Sequence, residues 1–348
     1  MLGCAPLLPW STPNFIDTCG ARSFELSAAE LWRRGLVSGE LHLATGEEAI
    51  AAGVVAHLQE GDGLALTHRC TPALVARGVP VLRELLGQED GLCHGRGGHM
   101  HLLSKPHLAA SSGIVGASLP TGAGFALAAK CMRKKCIGVS FVGDGAMNQG
   151  MVLETLNLVC GVGVAAPHRL RRQWWAIATP AGAVTGGQLA QRALAFCLAT
   201  ETVDGGDVEA VYQAAGKMIE LIRRGKGPGF LLAACPRIDG HFLGDPLLRT
   251  ARSPVDEGSG ILGEVLKGAT SRGGGGMLSR AKGLAQLASV ISKARGTPEL
   301  GSRGDPMVRA QRSLGLDKDE LRRIEDEANR EISEAFELAL AGLERRPS

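Results

Sequence analysis

The stretch "CIGVSFVGDGAMNQGMVLETLNLV" (136–159) constrains the fold more than any other part of the chain. Its first seven residues are apolar or small and rich in β-branched types, a pattern that predicts a buried strand ending at Gly143. A Gly-Asp-Gly turn follows, and "QGMVLETLNLV" (149–159) has the periodicity of a helix. A strand that runs through a tight turn into a helix belongs to open α/β architecture, where ligands bind outside the carboxyl ends of the strands. Asp144 would then stand at that edge. Its carboxylate is the kind of hard oxygen ligand that a magnesium ion on a diphosphate requires, and the flanking glycines let backbone approach a phosphate closely. The tripeptide alone does not assign a site, because Gly61-Asp62-Gly63 repeats it in what reads as a plain loop.

The rest of the chain fits the same layered class. In "RSFELSAAELWRRGLVSGE", Phe24, Leu26, Leu31, Leu36 and Val37 share roughly one helical face, so order is expected to begin near Arg22. Residues 1–21 hold three prolines and no helical period, and read as an unstructured or aberrant segment. Helical pieces at 49–58, 73–86 and 121–132 alternate with glycine-rich loops. Farther on, a strand-like piece, a turn at Asp204–Asp207, a helix from Val208 to Arg223, a break at 225–229 and a second apolar strand make the crossover unit of a parallel sheet. Residues 253–303, with "RGGGGM" and scattered basic residues, read as a flexible insertion. In the 304–348 tail, Leu321, Ile324, Ala328, Ile332, Phe336 and Leu340 recur at spacings of three and four. Asp317 and Glu320 form a capping box, with Leu316 and Leu321 as a hydrophobic staple. This segment predicts a packed helix.

Composition excludes several functions. The 348 residues are 45% apolar, enough to bury a sizeable core, and a net charge of +3 without a basic stripe argues against nucleic acid. Nine cysteines with no C-x-x-C pair fit reduced thiols better than a disulfide framework or a zinc site. No apolar run approaches the roughly 18 residues of a membrane span, and the N-terminus lacks the basic start of a signal peptide. A soluble cytoplasmic protein acting on a metabolite is expected. His99 and His101 suggest a metal pair, but no third ligand is identifiable.

Eight blocks occur in order: "SGELHLATGEEAIAAG" (38–53), "THR" (67–69), "GRGGHMHL" (95–102), "GIVGASLPTGAGFALA" (113–128), "GDGAMNQG" (143–150), "WAIAT" (175–179), "VDGGDV" (203–208) and "DGHFLGDP" (239–246). Together they resemble the alpha subunit of the thiamine-diphosphate-dependent 2-oxo acid dehydrogenases, the decarboxylating first component, including the pyruvate, acetoin and branched-chain types. The resemblance covers 22–250 and, more faintly, 304–343. It implies a thiamine-diphosphate-binding fold, a parallel sheet flanked by helices on both faces, with that domain at 22–252. It also implies that a beta subunit completes the site, in an assembly of two alpha and two beta chains, and that the acyl unit passes to lipoamide on an acyltransferase. Carried over residue by residue, Gly143, Asp144, Gly145 and Ala146 resemble the magnesium and diphosphate contacts. Arg69 resembles the arginine on the phosphates, where a guanidinium suits bidentate contact. Gly113 and Val115 resemble backbone contacts to the aminopyrimidine, and His241 the loop histidine near the thiazolium. That histidine would bind a substrate carboxylate or move protons. Thr71 stands where the family usually has a histidine, and Phe242 where kinase-regulated relatives carry serine, so phosphorylation there is not expected.

One block departs from the family. Asn-Asn should follow Gly-Asp-Gly by about 25 residues, after a hydrophobic strand; Arg172 and Gln173 occupy those positions, so the implied metal set is Asp144, Gln173 and Trp175. Arg169, Arg171 and Arg172 replace apolar residues, and uncompensated buried charge is costly enough that the segment is expected to distort or stay exposed. Read from the second base, codons for residues 162–174 permit Trp at 162, Leu at 164, Pro at 165, Ile at 168, Val at 169, Cys at 170, Asn at 173 and Gly at 174. A compensated frameshift over 160–174 accounts for the pattern. It leaves a second reading open, a subunit of the same fold that binds cofactor poorly. A third, a nicotinamide enzyme built on "GASLPTGAG", lacks both a clear preceding strand and an acidic ribose ligand.

Overall fold

The computed structural model describes residues 11–163, 167–172, 175–176, 179–235, 238–243, 305–313 and 317–344. Helix α1 (Ser11–Arg33) and α2 (Glu48–Val55) precede β1 (Gly63–Thr67), α3 (Thr71–Ala76) and α4 (Leu82–Leu85). Then come β2 (Leu103–Ser104), β3 (Ala109–Ser112), α5 (Ser118–Cys131), β4 (Gly138–Gly143), a 3₁₀ turn (Gly145–Asn148) and α6 (Gly150–Val162). Next are β5 (Pro167–Arg172), β6 (Trp175–Ala176), β7 (Thr179–Pro180), α7 (Ala181–Val184), α8 (Leu189–Ala195), β8 (Ala199–Asp204), α9 (Val208–Arg223) and β9 (Gly229–Ala234). Helices α10 (Pro306–Ser313) and α11 (Lys318–Glu344) follow.

Seven strands form one sheet in the order β2-β3-β1-β4-β5-β9-β8, parallel throughout except for the antiparallel edge strand β2. The strands explain the two covered faces. In β9, Leu231 and Ala233 enter one core with Phe141 of β4 and residues of α1, α2 and α9, while Phe230 and Leu232 enter a second core with Val142 and residues of α6 and α8. Alternate side chains are thus buried on both sides, which is why these strands read as nearly continuous apolar runs. Helix α5 comes close to β4 because glycines meet: a Cβ on Gly138 would lie 2.0 Å from the carbonyl oxygen of Gly122.

Several expectations change. Helix α1 starts at Ser11, ahead of the expected start near Arg22; residues 1–10 lie outside the described residues. Its buried residues before Phe24 are Thr18, Cys19, Ala21 and Ser23, too small and mixed to show as a hydrophobic stripe. Pro13 sits in the first turn, where a missing N–H costs nothing. On the same helix Leu26 is exposed, because it lies about 200° around the axis from buried Phe24. The expected helix at 73–86 is two helices, broken at Gly78 and Pro80. A short strand, β3, does precede "GASLPTGAG", most of which forms the start of α5. The insertion at 253–303 and Leu316 lie outside the described residues. The tail helix forms as expected. Asp317 Oδ1 accepts from the backbone N–H of Glu320 at 2.8 Å, and Glu320 Oε2 accepts from that of Asp317 at 3.3 Å. Phe336 meets Phe24 edge to face at 5.1 Å.

The arginine-rich segment shows no distortion of its backbone: β5 occupies the middle of the sheet, with Arg169 opposite Phe141 on one side and Leu231 on the other, while the other expectation, that its side chains stay exposed, lies outside what is described. Backbone hydrogen bonding is independent of side-chain type, so two paired neighbours can hold a strand whose pattern does not ask for one.

Candidate functional site

The strands β1, β3, β4, β5 and β9 run in one direction, and Arg69, Gly113, Asp144 and His241 follow the carboxyl ends of β1, β3, β4 and β9 respectively. Four distant parts of the chain therefore converge on one edge of the sheet. Gln173 lies outside the described residues, and Trp175 is described only as backbone of β6, which pairs with β7.

Asp144 directly follows β4 with its side chain buried, and its Oδ1 accepts from the backbone N–H of Gly145 at 2.9 Å at the head of the 3₁₀ turn. Ala146 follows, buried as well. No atom lies within 4 Å of a Cβ built on Gly143, so the backbone there is open to close approach. A hard oxygen ligand next to open backbone and amide groups fits a magnesium diphosphate. Gly113 begins the loop after β3, where a Cβ would lie 3.2 Å from Nε2 of His101; Val115 in that loop is exposed.

Arg69 is buried. Its guanidinium donates to the carbonyl oxygen of Leu43 at 2.6 Å, to Nδ1 of His241 at 3.1 Å and to the carbonyl oxygen of His241; Nε stands 4.0 Å from the Glu47 carboxylate. Since arginine only donates, His241 Nδ1 is the acceptor, which leaves the proton of the neutral ring on Nε2. Two further imidazoles close around it. The ring of His42 lies 4.6 Å from that of His68 and 4.9 Å from that of His241, and one nitrogen from each of the three lies within 4.8 Å of the others. His42 Nδ1 lies 3.1 Å from His99 Nε2. Burial chiefly, then the positive charge of Arg69, pushes His68 down to about 2 and His99 down to about 4, so both are neutral. The proposed His99 and His101 metal pair does not form: His99 turns to His42 and His101 to the Gly113 loop.

Two carboxylates support this cluster from beneath. Glu25 of α1 accepts from the backbone N–H of Ala44 at 2.9 Å and is pushed up to about 8 by burial, against the pull of that hydrogen bond and of Arg69. Glu84 of α4 accepts from the backbone N–H groups of Cys93, Gly95 and Gly97 at 2.7, 2.9 and 2.6 Å, gathering the loop that leads to His99 and His101. Sequence reasoning missed His42, His68, Glu25, Glu47 and Glu84. The signal for the two histidines and Glu47 was present, since each stands inside a block that carried the resemblance; Glu25 and Glu84 carry no local signal, because only the fold brings them beneath the site.

Residues 17–257 match the dehydrogenase E1 component family. The chain is 40% identical over 230 residues to the alpha subunit of acetoin:2,6-dichlorophenolindophenol oxidoreductase from Bacillus subtilis, covering 64% of this chain and 69% of that one. It is 39% identical to the Cupriavidus necator subunit of the same name, over 68% and 72%. It is 33% identical to the pyruvate dehydrogenase E1 component alpha subunit of Rhizobium meliloti, over 68% and 69%.

Proposed function

The chain belongs to the dehydrogenase E1 component family, and from that premise we propose that it is the alpha subunit of a thiamine-diphosphate-dependent dehydrogenase. It acts on acetoin or on a 2-oxo acid such as pyruvate, with transfer of the acyl unit to lipoamide on an acyltransferase. A beta subunit completes the site, two of each chain to the assembly, in the cytoplasm. Residues 22–252 form the cofactor domain and 304–348 a helical segment docked on it. Among the described residues no helix is long and apolar enough to cross a membrane.

The supporting observation is the convergence of Arg69, Gly113, Asp144 and His241 beyond the carboxyl ends of strands in one parallel sheet. Bound there, thiamine diphosphate supplies the carbanion chemistry. Asp144 would hold the magnesium ion, with Gln173 and Trp175 at the remaining family positions, and Gly143, Gly145 and Ala146 would offer backbone to the diphosphate. Arg69, its guanidinium fixed by Leu43, would supply positive charge for the phosphates. Gly113 and Val115 would contact the aminopyrimidine. His241, with Nδ1 held by Arg69, presents an Nε2 proton to the substrate.

Calorimetric titration of thiamine diphosphate into the chain co-expressed with its beta subunit tests the reading. Tight binding with magnesium, abolished by chelator, is the expected result. Binding that ignores magnesium would remove Asp144 from its role, and absence of binding would overturn the cofactor assignment.

A further inference from the structure

Among the described residues, one group of metal-ligating side chains comes together from three separate parts of the chain. His42 of the loop between α1 and α2, His68 after β1 and His241 after β9 each bring one ring nitrogen within 4.8 Å of the other two. The rings meet edge to face, with centroids 4.6 Å apart for His42 and His68, 4.9 Å for His42 and His241, and 5.8 Å for His68 and His241. Their hydrogen bonds leave lone pairs for a cation. His99 Nε2 accepts from the backbone N–H of His42 at 3.3 Å, so the His42 Nδ1 that lies 3.1 Å from it is a donor, and the His42 lone pair sits on Nε2. His241 Nδ1 accepts from Arg69 and so carries no proton. His68 Nε2 is buried and makes no hydrogen bond, and a buried polar atom left unpaired points to a group that a ligand brings.

We propose that His42, His68 and His241, with Glu40 as the fourth ligand, form a zinc site, and that zinc bound there blocks the carboxyl edge by occupying His241. The blocking rests on the proposed function; the binding of the ion does not. Imidazoles suit zinc and select against magnesium, which takes oxygen ligands. Tetrahedral zinc with bonds of about 2.0–2.1 Å holds its nitrogens about 3.4 Å apart, so the three rings close on the ion by small rotations. Glu40 completes the set. Its Oε2 lies 3.9 Å from His42 Nε2, and its side chain is exposed and therefore able to swing onto the ion. The added charge is met by this carboxylate and by that of Glu47, 4.0 Å from Nε of Arg69. Arg69 releases Nδ1 of His241 without losing its place, because it also donates to the carbonyl oxygens of Leu43 and His241. His99 holds the His42 ring from the other side, as outer-shell partners of zinc-bound histidines do.

Competition with a chromogenic zinc chelator tests the site in the complex with the beta subunit, with magnesium in excess. One zinc ion should bind per alpha chain and should resist magnesium. Cobalt(II) in its place should show the visible bands of a four-coordinate ion without the near-ultraviolet charge-transfer band of a thiolate, which separates the imidazoles from the nine cysteines. His68→Leu should weaken zinc binding by about a hundredfold or more, since even an outer-shell partner is worth about 10–100-fold. Glu40→Ala changes an exposed side chain, so it keeps the test open should His68→Leu fail to fold, and it should weaken binding by about tenfold or more. Displacement of zinc by magnesium, a thiolate band, or unchanged affinity in either folded variant would overturn the proposal. These readings need no turnover, so they decide the zinc site even if the proposed function fails. In an active complex zinc should suppress turnover, chelator should restore it, and Glu40→Ala should need about tenfold more zinc for the same suppression. Turnover that continues with zinc bound would overturn the blocking role.

Discussion

Gly61-Asp62-Gly63 and Gly143-Asp144-Gly145 are the same tripeptide at opposite edges of one sheet. The first leads into the amino end of β1, the second lies at the carboxyl end of β4. Asp62 is buried and saturated by the protein: it accepts from the backbone N–H groups of Gln59 at 2.8 Å and Ile137 at 2.9 Å and pairs with Arg223 of α9 at 2.5 Å. It ties β1, the approach to β4 and α9 together. Asp144 is equally buried, but the backbone of Gly143 beside it is open to close approach. The carboxylate at the amino edge holds the fold, whereas the one at the carboxyl edge stands where open α/β sheets bind their ligands, the position from which the proposed magnesium role is argued.

The largest effect that could break this contrast is on stability. Asp62→Asn leaves Arg223 without its buried partner and should cost about 3–5 kcal/mol in urea unfolding. A similar loss in Asp144→Asn would erase the distinction, since that variant should stay within about 1 kcal/mol of wild type. The next effect is on the ligand. Asp144→Asn should weaken magnesium-dependent thiamine diphosphate binding by ~10–100-fold in calorimetry, the value of a hydrogen bond or ligand contact to a charged group. Asp62→Asn, assayed while folded, should bind as wild type does.

The smallest effect sharpens the comparison through pH. Glu25, beneath the carboxyl edge, is pushed up to about 8 from the ordinary 4.5. Between those values the folded protein keeps a proton that the unfolded chain has released, so stability should fall as pH rises, by at most about 1.4 kcal/mol per unit for this group. Asp17, pushed up to about 6, and Glu48, also raised by burial, act in the same sense. In Glu25→Gln the unfolding midpoint should decline less steeply between about pH 5 and about pH 8. An unchanged slope would assign the decline to Asp17 and Glu48, and would free the carboxyl edge of this cost.

The amino-acid sequence determined the strand, turn and helix around Asp144, the crossover from Asp204 to β9, the capped tail helix and the family, because each rests on local periodicity or ordered motifs. The helix from Val208 to Arg223 needed nothing more than its apolar spacing and the N-cap of Asp207, whose side chain accepts from Ala210 N–H at 3.0 Å. Only the tertiary structure decided three other matters. It drew α1 back to Ser11, since a face of threonine, cysteine and alanine gains its burial from neighbouring helices and carries no signal alone. It held Pro167–Arg172 as a central strand through backbone pairing on both sides, against the side-chain pattern. It also set Glu25, Glu84, His42 and His68 around Arg69 and His241. Contacts between residues so far apart in the chain depend on which strands lie side by side, and no local stretch of sequence records that.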